Sequence, residues 1–108
     1  MAFKIALTPS YRVKVQVELP NERGTIDKSD FMAEFKRCDI DKLDELRALP
    51  QRDVVGEVLI GWSGLVDEAN QEVPYSPAAR EAVMVIPQAL LALIEAFWAS
   101  VYKAKQKN

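Results

Sequence analysis

From Tyr11 to Leu19 the chain alternates without a fault. Tyr11, Val13, Val15, Val17 and Leu19 are apolar; Arg12, Lys14, Gln16 and Glu18 between them are polar. Successive side chains of an extended strand point to opposite faces, so this pattern predicts a strand with one buried and one wet side. Phe3, Ile5 and Leu7 alternate with Lys4 and Ala6 in the same way. The turn-forming Thr8-Pro9-Ser10 between the two runs predicts an antiparallel hairpin. Pro20 ends the second strand, and the polar stretch Asn21 to Asp30, with Gly24 inside it, reads as a loop. Phe31, Ala33 and Phe35 then alternate with Met32, Glu34 and Lys36, which predicts a third strand. A helix competes for that stretch, because Phe31 and Phe35 also stand four apart.

Beyond Asp39 the period lengthens. Ile40, Leu43 and Leu46 recur every three residues with charges between them, one face of a short helix that Asp39 can cap. Pro50 breaks it. Val54, Val55, Val58, Leu59 and Trp62 fall at helical spacing, so a second helix is expected to run to about Gly61. Gly56 inside it costs roughly 1 kcal/mol against Ala, which points to a close packing contact there. Ser63-Gly64 and Asp67-Glu68-Ala69-Asn70 are turn-rich. Ser76-Pro77 is a strong helix start, and that helix carries Ala79, Val83 and Ile86 on one stripe until Pro87 opens the last helix. The expected architecture is an α+β domain: a small N-terminal antiparallel β-sheet of about three strands followed by three to four packed α-helices. It forms one domain over residues 1–108, with a β-rich part at 1–37, a helical part at 38–105 and a tail at 106–108.

Composition narrows the function classes. The 108 residues are 49% hydrophobic and 28% charged, as in a folded globular domain, with a formal net charge of -2. Acidic and basic residues are interleaved, so there is no basic surplus of the kind a nucleic-acid binder carries. The lysines Lys103, Lys105 and Lys107 read as a solubilising fringe, not a membrane-surface motif. The most apolar segment, Ile86 to Val101, is interrupted by Gln88 and Glu95 and is too short and polar for a membrane span. No secretory signal is legible at the start, and the single cysteine, Cys38, cannot form an intramolecular disulfide. The expected address is the cytoplasm.

Catalytic chemistry is poorly provided for. The chain has no histidine, which removes the commonest general base and most zinc sites. There is no phosphate-binding loop; Gly61-Trp62-Ser63-Gly64 does not match the dinucleotide pattern. Cys38 alone makes no redox or metal site and reads as a half-buried residue at a strand end. The carboxylates Asp39, Asp41, Asp44 and Glu45, and again Asp67 and Glu68, read as a solvated helix face and a polar turn. Neither an enzyme nor a metal or cofactor binder is expected.

The last helix carries positive information. One stripe is Leu90, Ile94, Phe97 and Val101; a second is Leu91, Trp98 and Tyr102, with Leu93 between them. The polar complement is thin: Gln88, Glu95 and Lys103. A helix that is apolar over most of its circumference must be covered on most sides. Either it lies at the centre of the domain, or one stripe faces the core and the other a partner. Trp and Tyr are favoured at interface hot spots, which makes Leu91, Trp98 and Tyr102 the candidate partner-binding residues, whether for self-association or for an apolar client segment.

The stretch Gly61-Trp62-Ser63-Gly64-Leu65-Val66-Asp67-Glu68, followed by Val73-Pro74-Tyr75-Ser76, resembles the tail assembly chaperones of long-tailed phages and prophages. In that family a helix ends in Gly-Trp, an Asp-containing turn follows, and a Val-Pro-aromatic-Ser segment opens the next helix. The resemblance extends over Pro77 to Tyr102 and, more generally, over the N-terminal half. Asn70-Gln71 stands where a glycine turn is expected. The resemblance implies that Gly61 ends the preceding helix, Trp62 anchors the turn, Asp67 bonds its backbone, the Pro74-Tyr75 segment opens the next helix and Ser76 caps it. These are roles in folding. It further implies a protein that binds the tape measure protein and keeps that long helical chain soluble. Such a protein helps recruit tail tube protein during virion morphogenesis and is absent from the finished virion. Many members have a longer product made by ribosomal frameshifting, and Lys107-Asn108 could be encoded by a slippery A-rich run. The alternative is a small oligomeric protein-interaction or regulatory module of phage or bacterial origin without catalytic activity; gene neighbourhood discriminates the two.

Overall fold

The strand with the faultless alternation is β1, Ser10–Pro20, and it pairs antiparallel with β2, Ile26–Lys36. The computed structural model describes residues 1–102. Lys103, the rest of the lysine fringe, the tail at 106–108 and Lys107-Asn108 lie outside the described residues. The register sets Tyr11 opposite Phe35, Val13 opposite Ala33 and Val15 opposite Phe31, so the apolar sets of both strands share one face. Arg12, Lys14 and Gln16 take the other face, opposite Glu34, Met32 and Asp30.

Of the stretch expected to be a loop, residues 21–25 close the hairpin and residues 26–30 are already strand. Asn21 Oδ1 accepts the backbone N–H groups of Arg23 (2.9 Å) and Thr25 (3.0 Å), and its amide nitrogen donates to Thr25 Oγ1 and Asp27 Oδ1. Gly24 takes φ +84°, a conformation open to glycine at no steric cost. The alternation of Phe31, Ala33 and Phe35 is a strand pattern and not a helical one, and β2 begins five residues earlier than that alternation. The expected hairpin between residues 3–7 and β1 does not form. Arg37 is the reason. Its backbone N–H donates to Pro9 O (2.8 Å) and its Nε to Thr8 O (2.8 Å), and the chain bends at Pro9 without reversing onto β1.

The third strand comes from the helical half of the chain. Helix α1, Ile40–Arg47, is capped as expected, with Asp39 Oδ1 accepting from Lys42 N at 2.9 Å. Leu43 and Leu46 are buried, but Ile40 is exposed and leaves the expected face. Helix α2, Gln51–Val58, stops three residues before the expected end at Gly61. Leu59 turns extended, with ψ 113°, and Leu59–Ser63 becomes β3, antiparallel to β2. Helical spacing at Val55, Val58 and Trp62 hid a short alternation in which Leu59 and Gly61 are buried and Ile60 is exposed. Tertiary pairing with the open side of β2 decided between them. The strand order is β1-β2-β3. The close packing expected against the Cα of Gly56 is not there: a Cβ added at that position would stand in open space. The close approach lies at Gly61, where an added Cβ would stand 3.0 Å from the Glu34 carboxylate.

Helix α3, Pro77–Met84, begins at Ser76, whose Oγ accepts from Ala79 N (3.1 Å). Its buried residue is Met84; Val83 and Ala79 are half-buried and Ile86 is exposed, so the expected stripe faces only partly inward. Helix α4, Pro87–Tyr102, follows at a bend of 104°. It lies across the apolar face of the sheet, with Phe97 edge-on to Phe35 (centroids 5.4 Å apart, 75°) and the hydroxyls of Tyr11 and Ser100 hydrogen-bonded at 2.8 Å. The core is thus one layer between sheet and helices, centred on Val15, Phe35, Leu46, Val55, Val58, Leu59, Leu93 and Phe97. The molecule is a small α+β fold, a three-stranded antiparallel sheet with four helices. Among the described residues no single helix is long and apolar enough to cross a membrane.

Candidate functional site

Two features carry the sequence-derived site residues, and they lie on different parts of the fold. The first is the corner from Gly61 to Ser76. Trp62, at the end of β3, donates its indole N–H to Val73 O at 2.8 Å. Its ring lies edge-on to Tyr75 (4.9 Å, 76°) and Phe31 (6.5 Å, 83°). Between these anchors the chain reverses: Val66 bridges Glu72, and Val73 N donates to Leu65 O at 2.8 Å. Asp67 Oδ1 accepts from Ala69 N (2.9 Å) and Gln71 N (3.0 Å), which satisfies donors at the tip that no strand partner reaches. Asn70 takes φ 62°, the left-handed conformation, so asparagine serves where a glycine turn was expected.

Tyr75 joins the corner to the helices. Its hydroxyl donates to Leu59 O (2.9 Å) and accepts from Arg80 Nη1 (3.2 Å), which also donates to Gly56 O (3.2 Å). The corner therefore ties β3, α2 and α3 together. Its polar groups point at its own backbone, which is the arrangement of a folding determinant.

The second feature is the outer side of α4. Ala89, Leu93, Ile94 and Phe97 are buried against the sheet and the other helices, with Leu90 and Val101 half-buried beside them. The other stripe stays at the surface: Leu91 is 53% exposed, Tyr102 59%, and Trp98 half-buried between them. Trp98 stacks on Tyr102 (5.8 Å, 16°) and lies edge-on to Phe97 (5.0 Å). Arg47 of α1 reaches across this end: its guanidinium stands 5.3 Å from the Tyr102 ring centroid and 5.9 Å from that of Trp98, and it bonds the Tyr102 hydroxyl and Asp44. The hydrogen bond to Tyr102 pushes the Arg47 pKa further up, although a guanidinium is a permanent cation in any setting. The stripe is thus an aromatic pair with a cation on one end and an open aliphatic half around Leu91 on the other. Val85 and Ile86, exposed at the bend before α4, add to the apolar surface at that end of the helix.

Arg47 escaped the sequence reading because nothing in its local pattern ties α1 to a residue 55 positions later. The remaining charged groups are local. Asp44 pairs with Arg47, and Lys42 Nζ stands 3.8 Å from Glu45 and 2.9 Å from Glu57. The hydrogen bond to Lys42 holds the Glu57 carboxyl below its ordinary range, and the same bond raises the Lys42 ammonium. Cys38 is a free, half-buried thiol that lies 3.5 Å from Lys36 O, and burial raises its pKa. A cleft of about 480 Å³ between α2 and α3 is lined by Leu49, Arg52, Asp53, Gly56, Glu57, Glu81 and Met84; the Arg52–Glu81 pair (3.2 Å) is on its wall. Its charges are of both signs, with Arg52 paired to Glu81 and Glu57 to Lys42, and form no convergent set of groups for a ligand.

No protein-family model, curated protein or solved structure matches the chain.

Proposed function

We propose that this protein is a tail assembly chaperone of a long-tailed phage or prophage. It binds the tape measure protein in the host cytoplasm, keeps it soluble and helps recruit tail tube subunits. The observation that carries the reading is the outer stripe of α4. Leu91, Trp98 and Tyr102 present an apolar, aromatic-rich line along a helix whose opposite side already supplies the core. A long helical client carries an apolar stripe of its own, and helix-against-helix docking through i, i+3, i+4 and i+7 anchors shields both. The Gly61-to-Ser76 corner supports the reading differently. It is the stretch that resembles the family, and its side chains spend their polar groups on holding β3, α2 and α3 together. Its part is to hold the scaffold beneath α4 rigid, not to touch the client.

Co-expression with a tape measure protein tests the proposal. The expected result is a rise in the client's soluble fraction with the native chain and a loss of that rise with Leu91→Asp. Unchanged client solubility with the native chain overturns it.

A further inference from the structure

Phe3, Ile5 and Leu7 are large apolar side chains at strand spacing, and in the folded chain they are 81%, 84% and 54% exposed. We propose that this N-terminal arm of one copy adds as an antiparallel strand to the free edge of β1 in a second copy, and that the exchange is reciprocal, giving a two-fold dimer. Three observations lead there. First, the arm stays out of its own sheet. Arg37 bonds Pro9 O and Thr8 O, and the chain bends at Pro9, so the arm does not fold back onto the strand it precedes.

Second, β1 lies at the edge of the sheet, with β2 on one side and no strand on the other among the described residues. An eleven-residue edge presents a row of unpaired N–H and C=O groups, a template for another strand.

Third, arm and edge are in one phase. The odd positions Phe3, Ile5, Leu7, Tyr11, Val13, Val15, Val17 and Leu19 are all apolar. Directly opposite residues of an antiparallel pair point to the same face, so a register of odd against odd continues the core face of each sheet across the dimer. Tyr11 and Val13, at the arm's end of β1, are only half-buried in the single chain, and an added strand would cover them. Because template and arm adjoin on the same chain, one two-fold axis satisfies both copies, which is the geometry of an isologous interface.

Sedimentation equilibrium of the full chain tests this. The native chain is expected to dimerise, and Phe3→Asp with Ile5→Asp is expected to weaken the dimer by at least about tenfold while leaving the far-UV circular dichroism spectrum of the folded chain unchanged. In a Cys38→Ser background, Ile5→Cys with Val13→Cys or Val15→Cys should oxidise to a covalent dimer, and Ile5→Cys with Lys14→Cys should not. A chain that is monomeric at every concentration, a dimer indifferent to the arm substitutions, or one abolished by Leu91→Asp instead overturns the proposal.

Discussion

Trp62→Phe keeps an aromatic ring at the corner and removes the indole N–H, so it isolates what that group does. The N–H donates to Val73 O at 2.8 Å, and the carbonyl is left without that donor in the variant. A hydrogen bond of this kind contributes a net of about 0.5–1.5 kcal/mol. The smaller ring also retreats from one of its two edge-on neighbours, Tyr75 at 4.9 Å or Phe31 at 6.5 Å, at a cost of about 0.5–1.5 kcal/mol for such a pair. The expected loss is therefore about 1–3 kcal/mol. A domain of this length holds only about 5–15 kcal/mol in total, so the effect is a sizeable fraction of the whole. Urea denaturation followed by far-UV circular dichroism reads it, because that probe does not depend on the tryptophan being removed. With a slope of about 1–3 kcal/mol per molar urea, the midpoint should fall by roughly 1 M at constant slope. Trp62→Ala, which also empties the space, should cost about 3–5 kcal/mol. A Trp62→Phe midpoint equal to that of the native chain would refute the role given to the bond and leave the corner held by shape alone.

Four further outcomes are expected. Leu91 keeps about half its surface in water, so of the roughly 1.5–3 kcal/mol available from burying it about half remains for a partner; Leu91→Ala should weaken tape-measure binding roughly 4- to 13-fold in calorimetry while leaving the urea midpoint nearly unchanged. Glu57 titrates below its ordinary value of 4.5 because Lys42 bonds it, so its contribution is fully present above that value and is lost as pH falls through the lowered pKa; the stability difference between the native chain and Glu57→Gln should therefore shrink to nothing in acid, and a constant difference down to the acid limit contradicts the pairing. Asn70→Gly should be neutral or slightly stabilising, whereas Asn70→Val at φ 62° should cost about 1–2 kcal/mol in the same urea assay. The raised pKa of the half-buried Cys38 should make its reaction with a disulfide reagent slower than that of an unstructured thiol, and equal rates would show that it is neither buried nor shifted.

Parity of side chains along an extended chain is a local property, and it was legible wherever alternation ran long enough: Tyr11 to Leu19 and Phe31 to Lys36 are strands with the expected inward sets. Capping is equally local, because Asp39 and Ser76 bond backbone groups three residues away. The two apolar stripes of α4 follow from its period, and the α+β class from the order of patterns. Which partner each pattern meets is not local. Residues 3–7 carry the same alternation as β1 yet stay out of the sheet, because Arg37, nearly thirty residues on, bonds the backbone that would have had to turn. Leu59–Ser63 fits a helix or a strand by spacing, and pairing with β2 made it a strand. Gly56 and Gly61 look alike in the sequence, but only at Gly61 does a carboxylate from a neighbouring strand occupy the space of a side chain. The stripes of α4 were visible together; the sheet, by burying Leu93, Ile94 and Phe97, decided which one remains at the surface. Hydrophobic period marks which residues must leave water, and only the packed fold, through long-range contacts the period does not encode, settles what they leave it against.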